Sequence, residues 1–189
     1  MLDIALQFLK NEINSYIKLQ TGSATDVVNL SQLVDEMGKY AIKSETVGIA
    51  LINIEEERFT KAQLPDYSYV NGQHIKREPE LKLNLHVIVA ANFTHYDIAL
   101  KYLSFVLTYF QSHPFFTPSE YPALDTGIAK LIVELQSLGY EQLNQIWAYI
   151  GGKQLPSVIY KVRLLAIQDQ TLTAVQPPLT TIVANLHRR

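Results

Sequence analysis

The sequence predicts a single α+β domain, a sheet of about four to six strands packed with an N-terminal, a central and a short C-terminal helix. Three observations carry this reading. Segments with apolar residues at spacings of three and four are interspersed with segments of period two, the marks of helices and of strands. One segment, 47–54, is apolar on both faces until Asn53 and so belongs in the middle of a covered sheet. The chain has 189 residues, 48% of them hydrophobic, enough to bury one sizeable core.

Residues 2–20 form the first predicted helix, because Leu2, Leu6, Leu9, Ile13, Tyr16 and Ile17 stack on one face. Lys10, Asn11, Asn14 and Lys18 lie off that stripe, and Gly22 supplies a stop. Residues 27–30 are a short strand candidate, and 31–43 read as mostly irregular. The strand at 47–54 ends in Glu55-Glu56-Glu57-Arg58, and the polar, turn-rich residues that follow read as a surface excursion or long hairpin loop. Leu81, Leu83, Leu85, Val87 and Val89 alternate with Lys82, Asn84, His86 and Ile88, a strand with one core face.

Thr94 and Asp97 offer a weak capping box for the central helix, whose apolar face is Tyr96, Ala99, Leu100, Leu103, Val106, Leu107 and Phe110. Pro114 and Pro118 bracket Phe115 and Phe116 in what reads as an aromatic loop without regular structure. A further strand is predicted over 128–137, then a helix over 140–150 carrying Leu143, Ile146, Trp147 and Ile150 and halted by Gly151-Gly152. The last long strand covers 157–168. The domain is expected to occupy 1–175, and 176–189 to form a C-terminal tail set off by Pro177-Pro178.

Composition narrows the function. There is no cysteine, which removes disulfides, thiolate metal sites and a cysteine nucleophile. Eighteen acids against 16 bases leave a net charge of −2, unlike the basic face that nucleic acid demands. Charge-free stretches at 102–119 and 170–187 both contain proline and polar residues, so neither reads as a membrane span. An acid at Asp3 speaks against a signal peptide, and synthesis in the cytoplasm is expected. Charged residues make up only 18%, against about 25% in ordinary domains, and 11 Tyr, 7 Phe and 1 Trp accompany them. Interfaces show this pattern of little charge and many aromatics, so self-association is expected.

Searches for reactive constellations find none. Gly151-Gly152-Lys153 lacks the upstream glycine of a phosphate loop (Trp147 stands there) and the following Ser or Thr (Gln154 stands there). The histidines, His74, His86, His95, His113 and His187, show no metal-ligand spacing. His86 shares the polar side of its strand with Lys82 and Asn84, which suggests a sheet face or an interface. The only dense carboxylate group is Glu55-Glu56-Glu57, a solvated rim or an electrostatic contact. No catalytic, cofactor or metal residue is assigned.

Several segments taken in order resemble one family. They are Asn53-Ile54-Glu55-Glu56-Glu57 after the buried strand, Leu83-x-Leu85-x-Val87 leading through Tyr96 to Phe110-Gln111, Val133-x-Leu135, Leu143-x-x-Ile146-Trp147, and Leu155-Pro156-Ser157-Val158-Ile159-Tyr160-Lys161-Val162-Arg163. The chain is similar to the tube-terminator, or cap, proteins of phage-tail-like contractile injection systems of the antifeeding-prophage type, over about residues 5–170. The resemblance implies a mixed, tail-terminator-like sheet and assembly as a six-fold ring on the distal end of the inner tube, ending tube growth and joining the last sheath layer. The implied partners are further copies of the chain, the inner tube protein and the sheath protein, in a particle open to extracellular release. It implies no catalysis and no cofactor. Some relatives continue into a C-terminal arm that engages sheath, whereas here 177–189 follow the fold.

For such a ring the candidate interface residues are Glu55, Glu56, Glu57 and Arg58 as a register-setting charged rim, and Phe115 and Phe116 as aromatic contacts or core anchors. Ile182 and Val183 join them, in a tail whose β-branched composition suits adding a strand to a partner. Trp147 and Tyr160 sit on apolar faces and read as core. The competing reading is a non-catalytic adaptor domain of similar fold that docks through the aromatic loop or a sheet face.

Overall fold

A computed structural model describes residues 1–57, 66–70, 73–77, 82–166 and 175–176. In chain order the elements are α1 (Leu2–Thr21), β1 (Val28–Leu30), β2 (Thr46–Glu56), β3 (Asp66–Val70), β4 (Gln73–Arg77), β5 (Lys82–Asn92), α2 (Tyr96–Ser112), β6 (Phe115–Phe116), β7 (Ile128–Leu135), α3 (Tyr140–Ile150), β8 (Ser157–Ala166) and β9 (Val175–Gln176). Six strands form one sheet in the order β1-β2-β5-β8-β7-β6. Its first pair is parallel and the rest antiparallel, so the sheet is mixed. This is the predicted α+β class.

Alternation along the central strands sends side chains to two separate cores. On one face Val47, Ile49, Leu85, Val87, Val89, Tyr160, Val162 and Leu164 meet α1 and α2. On the other, Ile88, Ala90 and Ile159 meet Trp147 of α3 and Leu33 and Ile42 of the 31–45 connection. The expectation of one core face for β5 is therefore corrected. Ile88 and Ala90 are fully buried on the side read as polar, because α3 and the 31–45 connection cover that half of the sheet.

Helix α1 packs Phe8 edge-on to Phe116, with ring centroids 5.3 Å apart, and stops at Gly22 in the left-handed conformation. Asn14, assigned by spacing to the polar side, is instead buried. It accepts from the N–H groups of Val27 and Val28 (3.0 and 2.9 Å) and donates to the Val28 carbonyl (2.8 Å), fastening α1 to β1. The predicted capping box of α2 does not form: the N-cap is His95, with no side-chain cap, and the Thr94 N–H donates to Glu45 Oε1 at 2.8 Å.

Residues 115–116 are also corrected, from loop to the edge strand β6. Pro114 precedes a two-residue edge strand, where proline is tolerated, and its carbonyl accepts from the Val133 N–H at 2.8 Å. The polar excursion after Glu57 contains the antiparallel pair β3–β4, to which β9 adds in a second, three-stranded sheet of order β3-β4-β9. Arg58, Ile182 and Val183 lie outside the described residues.

Candidate functional site

A break in register shapes one concave surface of the molecule. In β2 the pairing with β5 passes from Leu51↔Val87 to Asn53↔His86, leaving Ile52 as an extra residue. Such a bulge reverses the inside-outside phase of the strand beyond it. Asn53 and Glu55 are thereby turned onto the face of the sheet that holds His86, Ile159 and α3.

The result is a groove of about 480 Å³ between the sheet and α3. Ile52, Ile159, Ile146 and Ile150 supply its apolar lining, and the amides of Asn53, Gln136, Gln142 and Gln145 its polar one. Glu55 is held in position there: the Asn53 amide donates to Oε1 at 3.2 Å, and His86 Nε2 stands 3.2 Å from Oε2, in ion-pair range though off the hydrogen-bond direction. The carboxylate still keeps about half its exposure, 54%. Tyr149, at the groove margin, is 89% exposed.

Beyond the groove the same sheet face carries Arg163 on β8, whose Nε and Nη2 both donate to Glu134 Oε2 of β7 (3.2 and 2.9 Å). At the far edge the Lys130 ammonium lies 4.9 Å from the centre of the Phe115 ring.

The predicted interface residues thus fall in different places. Glu55 belongs to the groove, and Glu56 is exposed at the end of β2. Glu57 is half-buried and accepts from Asn84 Nδ2 at 3.2 Å, which ties it to β5. Phe115 is 44% exposed at the β6 edge, whereas Phe116 is wholly buried between Phe8, Phe110 and Tyr121. Phe116 is accordingly a core anchor and leaves the list of interface candidates. Trp147 and Tyr160 are buried as read from the sequence.

The α3 wall and its glutamines were not singled out from sequence. The signal available was Gln142 and Gln145, three apart and so on one face of α3, which spacing alone does not distinguish from solvent-facing residues. Among the described residues no group of three or more His, Cys, Asp or Glu could hold a metal ion, and no helix is long and apolar enough to cross a membrane.

The family follows from a match along nearly the whole chain: residues 5–181 fit the model of the Pvc16 N-terminal domain. The chain belongs to that family. Among solved structures it is similar to the sheath/tube terminator of PVC, an extracellular contractile injection system, in the extended state. That likeness has a TM-score of 0.57 and 13% identity, and covers 95% of this chain and 63% of that one. It is similar also to the tube-terminating cap of the anti-feeding prophage, with a TM-score of 0.60 and 11% identity over 98% of this chain and 61% of that one. The chain thus spans about three fifths of the length of these terminators, and at such identities the likeness is one of fold. No curated protein matches the chain.

Proposed function

We propose that this Pvc16-family chain is a structural terminator of a contractile injection system, which caps the distal end of the inner tube and joins it to the last sheath layer. The observation that carries this is the coincidence of a family match over residues 5–181 with a terminator fold shared over at least 95% of the chain. A tube end is a ring of identical sites, and a cap that matches it is best built as a ring of the same symmetry, with one patch of each copy meeting a different patch of the next. Six copies of the 21.4 kDa chain would weigh about 128 kDa. Glu55 in the groove, Glu56 and Glu57 where β2 ends, and Phe115 at the β6 edge are the described residues offered to neighbours, tube or sheath. Arg58, Ile182 and Val183 remain proposed contacts from sequence.

The test has two arms. Native mass of the purified chain is expected near that of six copies, and deletion of the chain from a producing particle is expected to broaden or lengthen the tube. A strict monomer whose deletion leaves tube length unchanged would overturn the proposal in favour of an adaptor domain.

A further inference from the structure

Ring closure requires a feature on one copy that fits a different feature on the next, and the β2–α3 groove is one half of such a pair. Its isoleucine lining takes aliphatic side chains. The amides of Gln136 and Gln145 both donate and accept, as an extended main chain requires. Glu55, oriented by Asn53 and His86, adds one fixed negative charge. The complementary segment is in the chain itself. Residues 179–189 read Leu-Thr-Thr-Ile-Val-Ala-Asn-Leu-His-Arg-Arg, β-branched and aliphatic first, basic after, with no acid.

We propose that residues 179–189 of one copy lie in the β2–α3 groove of a neighbouring copy, with the aliphatic side chains on the isoleucines and Arg188 or Arg189 against Glu55. Strand direction favours a neighbour over the chain's own groove. β9 runs antiparallel to β4, pairing Val175 with Ile75 and Gln176 with His74. From Val175 to Gln176 the strand therefore runs toward the end of the hairpin where β3 and β4 join. That end is opposite the links to β2 and β5, where Glu55 lies. Return to its own groove would demand a reversal after Pro177-Pro178, two residues that stiffen the chain in extended form. An exchange of this kind joins two different surfaces, as a closed ring requires. The inference rests on self-association of the chain.

The lack of cysteine gives a direct test. Full-length Gln145→Cys and Val183→Cys variants, mixed in equal amounts and mildly oxidised, are expected to give a dimer whose linked peptides carry positions 145 and 183. Adding Glu55→Arg to the first variant should lower the yield several-fold, and Arg188→Glu with Arg189→Glu on the second should restore it. A mixture that forms no 145–183 link while native mass still shows a ring would overturn the exchange and leave the ring standing. A Gln145→Cys, Val183→Cys double variant whose link forms only within single chains would overturn the assignment to a neighbour. The terminator reading fails on a different measurement, an unchanged tube length after deletion of the chain.

Discussion

Asn14 illustrates how one polar side chain can fix the relation of a helix to a sheet. Its three hydrogen bonds satisfy the backbone where β1 begins, and its burial makes each of them costly to lose. Asn14→Ala is expected to cost about 2–4 kcal/mol in chemical denaturation. Asn14→Asp can still accept both N–H bonds but donates to the Val28 carbonyl only when protonated. In its ionised form the variant should therefore be less stable than the parent chain in chemical denaturation at neutral pH.

Two tyrosines set an alkaline limit. Burial first, and then the Glu12 carboxylate that accepts from its hydroxyl at 3.0 Å, push the Tyr109 pKa up, and burial alone does so for Tyr160. Because folding raises both values, their contribution is complete below the usual tyrosine pKa near 10 and is lost as pH climbs past it. Absorbance titration should show at least these two of the 11 tyrosines ionising only as the chain unfolds. Early ionisation of all 11 would refute the burial argument. The Tyr160 hydroxyl has no partner among the described residues, so Tyr160→Phe is expected to be neutral or to stabilise by about 1 kcal/mol.

At the scale of elements, periodicity made α1, α3 and the long strands legible to within a few residues, because their apolar spacing reflects burial directly. It failed where a partner supplied the missing reason. β6 is a strand only because β7 lies beside it. The second face of β5 is buried only because Trp147 and Ile42 arrive from distant parts of the sequence. The bulge at Ile52, which builds one wall of the groove, is visible only as a slip between two strands.

Close approach explains Gly48 in the same way. A Cβ there would stand 2.7 Å from the Ile42 side chain, so Gly48→Ala should cost about 1–3 kcal/mol, with part recovered by Ile42→Val. β6 divides its two phenylalanines by their surroundings. Phe116→Ala is expected to lose about 3–5 kcal/mol, while Phe115→Ser should leave the thermal midpoint nearly unchanged and weaken assembly if this edge meets a neighbour. A ring that tolerates Phe115→Ser would remove that edge from the contact.

For the whole molecule, the scarcity of charge decides what kind of assembly to expect. With 18% charged residues, the chain leaves Leu135, Tyr140 and Tyr149 open to solvent on β7 and α3. Contacts made through such a strip depend on apolar area, which salt does not screen. Contacts made through Glu55 and its neighbours depend on Coulomb attraction, which weakens as the Debye length shrinks from about 14 Å near 50 mM salt to about 4 Å near 500 mM. A ring held mainly by aliphatic and aromatic surface, with Glu55 as a single charged contact, should keep its native mass across that range and loosen only slightly. Leu135→Ser with Tyr140→Ser should then shift it toward monomer at every salt concentration. Dissociation by salt alone, with these two replacements silent, would place the assembly energy in the acidic rim instead.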